Sequence, residues 1–443
     1  MELTPLKYFD SLYPANTREK EIHALIPFIQ KGLSSQIIGV PGVGKSNILR
    51  LLAYNRDVRT KHFGRYEALM HFVYIDSTEI KGRPLSDITK FILLSLSFSL
   101  GERRMMKESE HINKLLKEGV ALNDEMMLFS SLKKALDYLL IEKKLTIHLL
   151  FDKFEAILPE ITPQFFANLR ILRNHAKYRF ASVFSLNRPI NEIADPLLIS
   201  DFHDLVSENE IYVSLYDPIG IKFRLDYIEK AARKNIPQKT REEIIKLTGG
   251  HAKLSKLAFE ALISETENIE NLQELLLKRS TIDSTLHEIW SSLLPSEQIV
   301  FKGMSFSEIK ENHSYLTLSG LISEKGIMIP IFEEFLRKIP VETYEKITYD
   351  SSLNEIFMGT TKISENLSPS EFRLLKYLIE NVEKLCSKDE IINAVWKDSK
   401  TQEGVTDQAL DQIFYRLRKK IEIDPSIPQY IQTIKGKGYR LSQ

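Results

Sequence analysis

The sequence has a single cysteine, Cys386, in 443 residues. One thiol excludes an internal disulfide framework and any cysteine-rich zinc site, and it suits a reducing compartment. Neither sign of charge predominates, because 60 Lys and Arg balance 60 Asp and Glu. No global field then draws the chain toward nucleic acid or an anionic membrane, so any such binding must come from a local patch. Long apolar runs are missing too. The best, "FILLSLSFSL" from Phe91, falls far short of the roughly eighteen residues of a membrane span. The opening "MELTPLKYFD" has no basic region leading into an apolar one, so no signal peptide is expected. The expectation is a cytoplasmic protein.

What is present is ordinary for a globular chain: 43% hydrophobic and 27% charged residues. The length calls for two to four domains. From about residue 30 to 215, the short apolar runs "SSQIIGV", "HFVYID", "LTIHLLFD", "YRFASVFSL" and "EIYVSL" alternate with helical patterns. That alternation predicts a parallel sheet with helices on both faces. Residues 216–280 lose the strand signal and read as a helical lid, as in "TREEIIKLTGG" followed by "HAKLSKLAFEALI". Two later segments, "LPSEQIVFK" from Leu294 and "SPSEFRLLK" from Ser368, begin alike, which suggests small helical domains in tandem. Ser368, Pro369 and Glu371 form a capping-box signature with proline at the first helical position, and Ser387 with Glu390 repeats the box.

"GVPGVGKS", Gly39 to Ser46, fits Gly-x-x-x-x-Gly-Lys-Ser. Glycines let the backbone fold into a nest of inward N–H groups, and the following helix adds its positive end. Lys45 is placed to reach the terminal phosphates, and the Ser46 hydroxyl to hold Mg²⁺. The candidate nucleotide-binding residues are Gly39, Pro41, Gly42, Val43, Gly44, Lys45, Ser46 and Asn47. A nucleotide site also needs a carboxylate for Mg²⁺ and usually a group that orients water. Asp152 ends the strand "LTIHLLFD", and Glu155 follows three residues later. The next strand runs out at Asn187 and Arg188, either of which sits where a γ-phosphate sensor would or simply caps a loop.

Together these features resemble the AAA+ and STAND ATPases over residues 10 to 280. The resemblance implies ATP or ADP with Mg²⁺ as cofactors. "TREKEI" looks like the adenine-side motif of that group, which adds Arg18 to the binding set, with Thr17 where glycine is usual. "GGHAKL" looks like its lid motif, with Ala252 in place of proline, and "FFANLRILRN" like the helix that carries an inter-subunit arginine, Arg170 or Arg173. Lys45, Asp152, Glu155 and Arg188 are the implied catalytic set, with Ser46 and Asp152 on the metal. Lys153 stands where many relatives have the water-activating glutamate. Either Glu155 substitutes, or hydrolysis is slow and nucleotide acts mainly as a switch, which is the favoured expectation.

In the last eighty residues, Leu410, Phe414, Leu417 and Ile421 make one apolar stripe on a helix. The opposite arc carries Gln408, Gln412, Tyr415 and Lys419, flanked by Arg416 and Arg418. Glutamine can pair bidentately with adenine, and arginine with guanine or phosphate. In "YIQTIKGKGYRL" the glycines permit a tight turn that presents Lys435, Lys437 and Arg440 as a basic wing. From Gln412 onward seven Lys or Arg face two Asp or Glu, so this end is basic although the chain is neutral. The segments "LSPSEFRLLKYL", "EIINAVW", "ALDQIFYRLRKKIE" and "DPSIPQYIQTIKGKGYRL" resemble the winged-helix effector domain of OmpR/PhoB-type response regulators. That resemblance implies binding to double-stranded DNA and puts the loop "KDSKTQEGVT" where relatives touch RNA polymerase. Such regulators carry a receiver domain. Here the only acceptor-like residue, Asp76, fits better in the ATPase sheet.

The expected layout is a P-loop domain (1–215), a helical lid (216–280), a winged-helix-like coupler (281–340), a linker (341–364) and a winged-helix DNA-binding domain (365–443). The fold class expected is multidomain α/β + α. The expected function is an ATP-switched transcription regulator, with a nucleotide-dependent homo-oligomer in view. The alternative is a DNA-dependent AAA+ ATPase of replication initiation, transposition or defence.

Overall fold

A computed structural model of the chain describes residues 8–442 apart from 195, 201–202, 207, 266–270, 295–296, 299–300, 302–313, 340–345, 397–406, 423–424, 426–427 and 435–436. The chain divides into two compact units. The first comprises Met1–Ile190 with Leu197–Ile282, and the second Asn191–Pro196 with Asp283–Gln443. Among the described residues no helix is long and apolar enough to cross a membrane.

In the first unit the five apolar runs become strands β1 (Ser35–Ile38), β2 (Met70–Asp76), β3 (Thr146–Asp152), β4 (Phe180–Leu186) and β5 (Glu210–Tyr212). They form one parallel sheet in the order β2-β3-β4-β1-β5. β1 and β4 are buried along their whole length, as inner strands of a parallel sheet covered on both faces are. Phe151 of β3 and Phe184 of β4 are register partners and stack at 5.4 Å. The chain leaves β1 and reappears at the far edge in β2, so the C-terminal end of β1 is a switch point where ligands bind in open α/β sheets.

The principal helices of this unit are α1 (Glu19–Gln30), α2 (Lys45–Tyr54), α3 (Leu85–Glu102), α4 (Pro163–Ala176) and the lid helices α5 (Pro218–Ala232), α6 (Gln238–Thr248) and α7 (Ala252–Ser264). This arrangement is a five-stranded parallel sheet with a P-loop after β1 and a group of helices following β5.

The second unit begins with most of α8 (Ser280–Ser291), the short hairpin β6 (Ile322–Ser323) and β7 (Gly326–Ile327), and α9 (Pro330–Leu336). Residues 347–362, expected as linker, instead form an antiparallel sheet of β8 (Ile347–Asp350), β9 (Glu355–Met358) and β10 (Thr361–Lys362). The reason is apolar packing: Ile347, Ile356, Met358 and Ile363 belong to the same core as Leu374, Leu378, Phe414 and Leu417. Three helices follow, α10 (Pro369–Glu380), α11 (Lys388–Val395) and α12 (Asp407–Ile421), then the hairpin β11 (Ile431–Ile434) and β12 (Gly438–Leu441). This is a winged helix. Both capping boxes form as read, Ser368 with Glu371 at α10 and Ser387 with Glu390 at α11.

Candidate functional site

The loop between β1 and α2 holds the first candidate site. Gly42 (φ +77°) and Gly44 (φ +114°) adopt left-handed backbone that only glycine takes without strain, and a Cβ at either would strike His251 or the Arg18 guanidinium below 3 Å. The turn is therefore built tightly against its surroundings. Three of its carbonyls are each held by another element: His251 Nε2 bonds Pro41 O at 2.9 Å, Lys253 N–H donates to Gly42 O at 3.1 Å, and Arg18 Nη2 donates to Val43 O. Of the loop N–H groups, those of Gly39 and Val43 donate to Leu186 O and Val40 O, both at 3.3 Å, and the tied carbonyls turn the rest of the loop toward an anion.

Lys45 Nζ is buried and donates to the carbonyls of Gly39 and Val40 and, at 2.8 Å, to Asn187 Oδ1. Burial pushes its pKa down to about 8, opposed by the negative charges of Glu155 and Asp152. Asp152 is fully buried at the end of β3. It accepts the Tyr74 hydroxyl at 2.7 Å and its neighbour's N–H from Lys153 at 3.0 Å. Burial and the facing Asp152 raise the Tyr74 phenol well above its ordinary value, so it stays a donor. Glu155 accepts the Asn187 N–H at 3.1 Å with one carboxyl oxygen, while the other is buried with no partner among the described residues. Burial raises its pKa against the pull of Lys45. Lys45, Asp152, Glu155 and Asn187 thus converge at the mouth of the loop. An orphaned carboxylate oxygen, a buried ammonium and a glycine nest together fit a nucleotide phosphate with its cation.

Other expected residues lie differently. The Arg18 guanidinium is buried and spent on Val43 O, Ser214 O and Glu21, so it braces the loop through its side chain. Asn47 turns away to Asp10 Oδ1 at 3.3 Å. Lys153, in a left-handed backbone (φ 51°), sends its ammonium to Asp76 Oδ2 at 3.0 Å rather than into the site. Ser46 opens α2 beside Lys45, and Arg188 is buried just past β4. Arg173 Nε reaches Gly32 O at 3.4 Å, and Arg170 is exposed on α4.

His251 was not anticipated. It caps α7, accepting the Leu254 N–H at Nδ1, and burial holds its pKa down to about 4, so the neutral ring donates to Pro41 O. The signal lay in the lid motif itself, one residue before the alanine that drew attention.

The second candidate site is the face of α12 and the wing. The stripe Leu410, Phe414, Leu417 and Ile421 is buried, leaving Gln408, Gln412 and Tyr415 exposed. Lys419 sits over the Tyr415 ring at 5.7 Å. Arg416 lies 3.7 Å from Glu371, whose other oxygen pairs with buried Lys420 at 2.6 Å. Arg418 is turned onto the wing: its guanidinium donates to Ile431 O and to Thr433 Oγ1 at 2.7 Å, so it braces helix to hairpin. On the wing, Lys437 is exposed and Arg440 donates to Gln432 Oε1 at 2.7 Å. Lys435 lies outside the described residues, as does the loop 397–406.

Residues 363–441 match the family described as "Transcriptional regulatory protein, C terminal". A probable transcriptional regulatory protein of Picosynechococcus is 32% identical over 114 residues, 24% of this chain and 42% of that protein. Less than half the length of such relatives is matched. Among solved structures, the RstA DNA-binding domain of Klebsiella pneumoniae in complex with the RstA box is 23% identical, covering 23% of this chain and 95% of that one, with a TM-score of 0.19. A Walker-type ATPase of Pyrococcus abyssi is 15% identical, covering 76% and 99%, with a TM-score of 0.46. Residues 363–441 are therefore a C-terminal domain of the transcriptional regulatory protein family, carried on one chain with a P-loop and a five-stranded parallel sheet.

Proposed function

We propose that this chain is an ATP-binding transcription regulator of the cytoplasm, in which nucleotide state controls sequence-specific DNA binding by the C-terminal winged helix. One observation carries the reading. A chain with a regulator-type winged helix at 363–441 has a P-loop whose lysine is held by Asn187, at the end of the neighbouring strand, where a terminal phosphate would compete for it. Bound ATP with Mg²⁺ supplies a compact anion whose terminal phosphate is present in one state and absent in the other. The residues that would hold it are the loop glycines, Lys45, Ser46 and Asp152. As Lys45 turns to phosphate, Asn187 is released. Glu155, with its carboxyl raised by burial, is the base that would take a proton from water. With a lysine, Lys153, where a water-activating glutamate would stand, and Glu155 the only substitute for it, turnover is slow and the nucleotide serves as a switch. Gln408, Gln412 and Tyr415 read base edges, and Lys437 anchors phosphate. RNA polymerase and a second copy of the chain are the expected protein partners.

The test is capture of sheared genomic DNA by the purified chain, followed by sequencing, with ADP, with a non-hydrolysable ATP analogue, and with Lys45→Ala. A few sharply enriched sites that depend on nucleotide and lose that dependence in Lys45→Ala are expected. Broad enrichment without preferred sites, together with DNA-stimulated turnover, would replace this reading with a DNA-dependent ATPase.

A further inference from the structure

The first unit contains a cavity of about 750 Å³ that shares no residue with the loop 39–47. It opens where α2 and α3 end. Tyr54, the last residue of α2, stacks on Tyr8 at 4.1 Å and 18°, giving the cavity a flat aromatic wall, and Tyr74 and Phe98 add to it. Four arginines line it: Arg56, Arg59, Arg103 and Arg104. Two of these are spent. Arg59 pairs with Glu67 at 2.9 Å and donates to two backbone carbonyls, and Arg103 donates to Met70 O and lies 3.4 Å from Glu67. The side chains of Arg56 and Arg104 make no hydrogen bond or ion pair among the described residues. The lining acids are Asp57 and Glu102, the latter already accepting the Tyr8 hydroxyl. Cationic crowding is real here: burial lowers the Arg103 pKa, and the charges of Arg59 and Arg56 lower it further.

The backbone fixes where Arg104 leaves its helix. This residue ends α3 in a left-handed backbone, φ 61°, with its N–H on Gly101 O and the next N–H on Leu100 O. Glycine is the residue that favours this closing position. Arg104 lines the cavity and is exposed.

We propose that this cavity is an effector site for a small organic anion that carries a flat ring, the ring lying against Tyr54 and Tyr8 and the anionic group meeting Arg56 and Arg104. Its volume is that of an ordinary small-molecule site. Its floor leads to the nucleotide site by two routes. The Tyr74 ring lines the cavity while its hydroxyl donates to Asp152, and Tyr54 terminates the helix that Lys45 and Ser46 begin. The occupant thus adjusts Asp152 and α2 together. The coupling rests on the nucleotide reading given above; the binding site does not.

The experiment titrates the full chain, free of nucleotide, with four probes: benzoate, phenyl phosphate, phenol and inorganic phosphate. Benzoate or phenyl phosphate binds, and whichever is tighter names the anionic group. Phenol and inorganic phosphate bind about tenfold more weakly or not at all, each lacking half of the recognition. Arg104→Gly, which relieves the backbone and so keeps the fold, and Arg56→Gln each weaken the tighter probe about tenfold. The same probe shifts ADP affinity at least twofold in the parent chain, and in Tyr74→Phe it still binds but no longer shifts it. No binding by either ring-bearing anion, or binding unchanged in both arginine variants, overturns the site. Probe binding that leaves parent ADP affinity unaltered overturns the coupling, and a chain that binds the probe but not ADP overturns the nucleotide reading instead.

Discussion

Single residues in the sheet are where burial and charge conflict most sharply. His148 lies in the middle of β3, fully buried, stacked on Phe72 at 5.1 Å, and neither ring nitrogen has a partner among the described residues. Burial drives its pKa down to about 3, so the folded chain holds the ring neutral. The unfolded chain protonates it below the usual histidine value near 6.5. Between these two values the unfolded state binds the extra proton, and stability falls as pH falls, by about 1.4 kcal/mol per pH unit for this one group. His71 on β2, lowered to about 3, and His251, lowered to about 4, act in the same direction. His148→Phe keeps a flat ring and removes both orphaned nitrogens, so it should stabilise the P-loop unit at pH 7 by about 1 kcal/mol. It should also reduce the loss between pH 7 and pH 5 by about 2 kcal/mol. Urea unfolding followed by circular dichroism at the two pH values checks both numbers, and an identical acid loss in the variant would show that His148 is not the group that titrates.

At the scale of elements, the wing is fastened at one narrow place. Tyr439 exchanges backbone hydrogen bonds with Cys386 at 2.8 and 2.9 Å, its ring stacks on Phe414, and its hydroxyl reaches Asp411. Gly438 sits there at φ +137°, and a Cβ would fall 2.0 Å from the Cys386 carbonyl oxygen. Gly438→Ala must therefore open the hairpin or move the strand end, at a cost of about 3 kcal/mol. Amide exchange at Cys386 and Tyr439 in the full chain should speed up about a hundredfold, DNA capture should collapse, and ADP binding should be untouched. Unaltered exchange would mean that the close approach is not what holds the wing.

The same elements show what the sequence discloses. The capping boxes and the α12 stripe depend on residues three or four apart, so local periodicity carries them. The β8–β10 sheet was missed because its strands are two to four residues long and matter only through a core completed by α10 and α12. Arg418 belongs with them: a helical wheel places it beside the candidate DNA face, and only the fold of the hairpin turns it onto Ile431 and Thr433. At the candidate nucleotide site, the loop and Asp152 are placed by spacing alone. The hold of His251 on Pro41 O joins residues 210 apart and is not.

For the whole molecule, a net charge of zero means that affinity for DNA has to arise from a local patch, and the basic one lies at residues 412–443. Salt dependence then measures how much of the molecule touches phosphate. If a bound dimer neutralises about six phosphates, log affinity falls with log salt at a slope of about −5, and removing one phosphate contact per protomer flattens it by about 1.8. Lys437→Ala is the direct trial of the wing, because Lys437 is exposed and its neighbour Arg440 is tied to Gln432. Lys45→Ala is the complementary trial. It should leave the slope alone while abolishing the difference between ADP and the ATP analogue, since a switch changes how often the domain binds and not which phosphates it meets. Fluorescence anisotropy on one captured site, from 50 to 300 mM salt, separates the two variants. An unchanged slope in Lys437→Ala removes the wing from the interface. A slope that flattens in Lys45→Ala would mean that the P-loop unit itself lies on the DNA, and the division of labour between the two ends of the chain would have to be redrawn.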